Sequence, residues 1–94
     1  MYAVMRRYAG AAELAEALVK HEAEVTALLT GVRGFKAYYA LQTAEGGVAT
    51  MTICEDQAGT QESSRRAAEW VRNNLTGLSI GAPEITEGET FLSL

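Results

Sequence analysis

The chain has 94 residues, a single cysteine and a net charge of −4, with eight Lys and Arg against twelve Asp and Glu. That length fits one domain, 1–94, with a core of modest size; the lone Cys excludes an internal disulfide, and one Cys with one His excludes a zinc site built by the chain alone. The acidic balance leaves no concentrated basic face for nucleic acid, no apolar stretch reaches the roughly 20 residues of a membrane span, and the opening run is broken by charge too early for a signal peptide, so a cytoplasmic setting is expected.

Met1 to Tyr8 reads as a first strand, ended by Gly10. Residues 11 to 30 are rich in helix formers, and Leu14, Leu18, Val25 and Leu28/Leu29 recur at helical spacing, which predicts one helix stopped near Gly31 and Gly34. Phe35 to Thr43 and Val48 to Glu55 read as two strands joined by Ala44-Glu45-Gly46-Gly47, a short glycine-bearing turn. Pairing Thr43 with Val48 puts Ala37, Tyr39, Leu41, Thr50, Thr52 and Cys54 on one face. Lys36, Tyr38, Ala40, Met51, Ile53 and Glu55 then share the other. Asp56 is placed to cap a second helix running to about Leu75, with Gly59 a weak residue in its first turn. Ala67, Ala68, Val71 and Leu75 form its stripe, flanked by Trp70. Gly77 and Gly81-Ala82-Pro83 make a loop. Ile85 to Leu94 closes as a last strand, with Thr86, Gly88, Thr90, Leu92 and Leu94 on one side.

The order strand–helix–strand–strand–helix–strand predicts an α+β, ferredoxin-like βαββαβ fold: a four-stranded antiparallel sheet with two helices on one face. Both faces of the central hairpin hold apolar or aromatic groups, although the helices can cover only one. The other face is therefore expected to meet a second copy of the chain, giving a homodimeric α/β barrel.

Gly34-Phe35-Lys36-Ala37-Tyr38, Thr52-Ile53-Cys54-Glu55-Asp56 and Ala67-Ala68-Glu69-Trp70-Val71 carry a resemblance to the dimeric α/β-barrel superfamily, covering nearly the whole chain. The chain is similar above all to small antibiotic biosynthesis monooxygenase-like proteins. That resemblance implies chemistry on small aromatic or hydrophobic molecules, in some members oxygenation without metal or flavin. The haem-degrading branch combines an Asn on the first strand, a Trp on the second helix and a His beyond it. Trp70 matches the Trp, but the first strand has no Asn and no His follows Trp70, so those roles are not carried over.

His21, the one histidine, falls on the first helix's apolar stripe; it is either an acid or base titrating near neutral pH or a helix-edge side chain. Trp70 is either one wall of an aromatic-ligand pocket or a seal on the core. Tyr38 and Tyr39 point to opposite faces of their strand; each could hold a ligand oxygen or simply pack. Thr52 and Asn74 could add polar contacts to a substrate. Cys54, beside Glu55 and Asp56, reads as a small buried hydrophobe, since nearby carboxylates raise a thiol pKa. Glu13, Glu16, Glu22 and Glu24 with Lys20 read as a solvated helix face. No phosphate-binding loop, nucleophile elbow or CxxC is present, and neither a cofactor nor a metal is expected. The favoured reading is a cofactor-independent monooxygenase-like enzyme; a non-catalytic binding module or a purely structural dimer would use the same fold.

Overall fold

The computed structural model describes residues 1–10 and 12–94. Seven elements follow in order: β1 Tyr2–Tyr8, α1 Ala12–Lys20, α2 Glu22–Thr30, β2 Phe35–Gln42, β3 Val48–Cys54, α3 Gln57–Asn74 and β4 Glu84–Glu89. The sheet runs β2-β3-β1-β4, every neighbouring pair antiparallel, and the helices pack on one side of it, which is the ferredoxin-like arrangement. Among the described residues, no helix is long and apolar enough to cross a membrane.

Where one helix is predicted over 11–30, two meet at His21 (Ala11 lies outside the described residues). His21 departs from helical geometry at φ −107°, ψ 27°. The backbone bonds still bridge the junction, His21 N–H to the Ala17 carbonyl and Val25 N–H to the His21 carbonyl, both at 3.0 Å, so the segment is bent, not interrupted. The bend lets α1 pack on β2 and β3 while α2 packs on β2 and α3.

The hairpin also departs from expectation, by one residue. Thr43, expected opposite Val48, pairs instead with Gly47: the Thr43 N–H donates to the Gly47 carbonyl at 2.9 Å, and the Gly47 N–H donates to Thr43 Oγ1 at 2.9 Å. The connection is thus three residues, with Gly46 in the left-handed region at φ 87°, a geometry open to glycine and typical of three-residue hairpin loops. Gln42 therefore faces Val48, Tyr39 faces Met51 and Tyr38 faces Thr52. A slip of one residue exchanges the two faces of a strand. Tyr38, not Tyr39, shares the helix-covered side with Thr50 and Thr52; Tyr39 lies on the open side, 63% exposed.

The last strand is shorter than expected. Its final backbone bond joins the Thr90 N–H to the Met1 carbonyl at 2.8 Å, and residues 91–94 have no strand beside them, leaving Phe91, Leu92 and Leu94 exposed.

Under the helices, Val4, Tyr8, Leu14, Val48, Trp70 and Leu75 are buried. Asp56 caps α3 by accepting from the Gly59 N–H at 3.0 Å, satisfying one of the free donors of the first turn. Gly59 permits a close approach: a Cβ there would stand 2.8 Å from Cys54 Cβ. Ala is favoured over Gly inside a helix by about 1 kcal/mol, but forcing a methyl into a packed site costs about 1–3 kcal/mol. Gly59→Ala is accordingly expected to lower the urea midpoint; an unchanged or raised midpoint would show that the start of α3 can move off the sheet.

Candidate functional site

Alternation along β1 sends Val4, Arg6 and Tyr8 under the helices and leaves Arg7 outside, beside Glu84 at 4.0 Å. Arg6 is 2% exposed. Its Nε donates to Ser64 Oγ at 3.2 Å, Nη1 to Thr52 Oγ1 at 3.1 Å and to Thr50 Oγ1 at 3.4 Å, and Nη2 to Ser63 Oγ at 2.8 Å. Every one of these partners is a neutral hydroxyl. Among the described residues no carboxylate pairs with Arg6. A buried cation normally finds an opposite charge, because taking it out of water costs several kcal/mol.

Small residues on α3 make this approach possible. Gly59, Thr60 and Ser63 face the sheet over the first two turns and are fully or nearly fully buried. Ser63 is held in place by donating to the Thr60 carbonyl at 2.7 Å. Burial pushes the Arg6 guanidinium below its ordinary value, opposed by Tyr8, Tyr38 and Cys54. Burial also pushes the phenols of Tyr8 and Tyr38 up, with Arg6 pulling each back down. Both tyrosines are thus neutral at physiological pH and do not discharge the cation.

Arg6 stands between two hollows. The inner one, about 30 Å³, lies between helices and sheet against Tyr8, Tyr38, Thr50 and Trp70; it has room for about one or two waters. The outer one is a cleft of about 410 Å³ between α3 and the segment from Leu75 to Ile85, a volume suited to a small organic ligand. Its walls are largely apolar, Val71, Leu75, Leu78 and Ile80 among them, and Arg6, Tyr8 and Val71 border both hollows.

Trp70, 7% exposed, closes the inner hollow. Its Nε1–H donates to Glu24 Oε1 at 2.8 Å, so the donor is committed within the protein. The His21 ring meets the Trp70 ring edge-on, centroids 5.6 Å apart at 71°, and its Nδ1 lies 3.7 Å from Glu24 Oε2. His21 borders neither of the two hollows. Asn74 donates from Nδ2 to the Trp70 carbonyl at 3.0 Å in the last turn of α3. Of the residues singled out from sequence, Tyr38, Thr52 and Trp70 thus gather around Arg6. His21 stands behind Trp70, and Tyr39 and Asn74 lie elsewhere. Cys54 is fully enclosed, its thiol raised by burial and then by Asp56. Among the described residues no three His, Cys, Asp or Glu side chains cluster as a metal site.

Sequence reasoning missed Arg6, Ser63, Ser64 and Glu24. The signal for Arg6 was present: a charge at an inward position of an alternating strand.

No family model matches the chain, and no curated protein matches it significantly. Solved structures do. A protein of unknown function from Nitrosomonas europaea, NE2512, is 24% identical with a TM-score of 0.72, over 99% of this chain and 91% of that one. The haem degrader MhuD of Mycobacterium tuberculosis, with two haems in its active site, is 15% identical with a TM-score of 0.72, over 100% and 99%. A monooxygenase of Streptomyces coelicolor from the gene ActVA-Orf6, in complex with nanaomycin D, is 13% identical with a TM-score of 0.71, over 99% and 89%. The chain shares the ferredoxin-like fold of these solved structures.

Proposed function

We propose that the chain is a cytoplasmic, cofactor-independent monooxygenase-like enzyme that acts on a small aromatic or hydrophobic substrate and works as a homodimer. The observation that carries this reading is the apolar cleft that ends on Arg6 and its hydroxyls. An electron-rich phenol or enol, once ionised in a site that excludes water, can react with oxygen directly. A fixed cation beside the developing oxyanion lowers the energy of that step, and more so out of water. Tyr38 and Trp70 close the water-sized hollow behind the guanidinium, and Thr52 holds the guanidinium in place. His21 borders neither hollow, so as the proposed proton acceptor it would take the substrate proton through an intervening water, with Glu24 Oε2 3.7 Å from its Nδ1. The single buried thiol accords with a reducing compartment.

Oxygen uptake with product analysis across a panel of quinols and polyketide phenols tests this. Turnover is expected for at least one, reduced about a hundredfold or more in His21→Gln, with circular dichroism showing the fold retained. A panel with no uptake ends the oxygenase reading. One observation favours a non-catalytic binding module instead: among the described residues, neither hollow is lined by an imidazole, a thiol or a carboxylate. A ligand that raises the melting temperature and is recovered unchanged would establish that alternative.

A further inference from the structure

We infer that the ligand of the cleft is an apolar-bodied organic anion, a carboxylate or an ionised phenol or enol, whose oxygen seats against Arg6. This rests on the cleft being the ligand site, and narrows what enters it.

Three observations support the assignment. The first is charge placement. The chain carries twelve acidic side chains and a net charge of −4, yet among the described residues no acidic side chain lines either hollow that reaches Arg6, and the outer cleft has a second cation, Arg72. An acidic protein that keeps all its carboxylates away from one buried guanidinium leaves that charge for something else to neutralise.

The second is donor accounting. A guanidinium has five N–H groups in a planar fork. The four hydroxyl contacts take one each, two on Nη1 and one apiece on Nε and Nη2, which leaves one N–H on Nη2 uncommitted among the described residues. Ser64 accepts from Arg6 through oxygen, keeps its own O–H proton and borders the outer cleft, whereas the Thr50 hydroxyl is engaged by the Tyr38 phenol. A hydroxyl donor therefore stands beside the cation on the cleft side, the complement of an oxyanion.

The third is the wall. The remainder of the cleft is predominantly apolar, including Ala68, Val71, Leu75, Leu78 and Ile80. A small hydrated anion would gain nothing from it; a ring system bearing one anionic group fits both the wall and the floor.

Matched ligand pairs test this on the intact protein by calorimetry and thermal shift: 2-naphthoate against 2-naphthamide, and 2-hydroxy-1,4-naphthoquinone, ionised at neutral pH, against its 2-methoxy ether. The two pairs separate a carboxylate from an enolate preference. In at least one pair the anion is expected to bind at least about tenfold tighter than its neutral partner. Arg6→Met is expected to abolish that preference, and Arg72→Gln to weaken binding only a few-fold. Equal binding within both pairs, no binding by any of the four, or a preference that survives Arg6→Met would each overturn the inference. Should Arg6→Met fail to fold, the wild-type comparison still decides, and Ser64→Ala should narrow the preference. Oxygen uptake on the separate panel of quinols and polyketide phenols distinguishes the two readings, since none of these four probes is an oxidisable electron-rich phenol. Anion preference with no uptake across that panel leaves the anion site and removes the oxygenase; uptake on the panel with equal binding within both pairs does the reverse.

Discussion

Thr52→Val is expected to cost about 1.5–3 kcal/mol of folding stability, and adding Arg6→Met to recover most of the loss. Valine nearly matches threonine in volume, and Thr52 is fully buried, so no cavity results. What disappears is the hydroxyl that accepts from Arg6 Nη1 at 3.1 Å. A hydrogen bond to a charged group is worth about twice a neutral one, and stranding a buried charge costs more than the bond itself. Methionine fills a similar length with nothing to satisfy, so the second change removes the debt created by the first. Urea unfolding of the wild type, both single variants and the double variant, at one fixed protein concentration, gives the coupling directly. Losses that simply add would mean that the hydroxyls do not sustain the cation.

The second large effect concerns the face of the sheet turned away from the helices. Met5, Met51 and Tyr39 stand in register across β1, β3 and β2, flanked by Ala3, Ile53 and Leu41. Tyr39 and Leu41 are each more than half exposed. A row of this kind is ordinarily covered. If a second copy covers it, Met51→Lys places an unpaired ammonium at a dry interface, a penalty of several kcal/mol. The dimer dissociation constant should then rise by roughly three powers of ten. Sedimentation at micromolar concentration is expected to show two chains for the wild type and one for Met51→Lys, with circular dichroism unchanged. Val19→Lys, on the exposed side of α1, serves as the control and should remain paired. A wild type that sediments as a single chain would remove the homodimer from the proposal.

These outcomes depend on details of unequal visibility in the sequence. The order of elements was legible because each announces itself locally, by strand alternation, by helical spacing, or by a capping Asp56 that accepts from the third residue after it. The pairing of β2 with β3 was not. It depends on which of two adjacent glycines takes the left-handed turn, and periodicity carries no information about that. Tyr38 and Tyr39 exchanged sides as a result. The bend at His21 was hidden for a related reason: the apolar spacing continues through it, and only packing against two different neighbours reveals it. At the site, Trp70, Tyr38 and Thr52 were recognisable by residue type. Arg6 and Arg7 are adjacent and alike in type, and neighbours on a strand face opposite ways; one is sealed under α3 and the other meets solvent. Glu24 looked like one more acid on a wet helix, and only the indole reaching it from α3 gives it a role.

Cys54 lies at the end of β3, closed over by the first turn of α3. As the only sulfhydryl in the chain, it makes the protein its own tamper seal. An alkylating reagent can reach it only after that helix end lifts, so the pace of labelling times the lifting with no dye or tag attached. The same enclosure means that a cysteine engineered onto the surface would be the only one a maleimide modifies while the fold is intact.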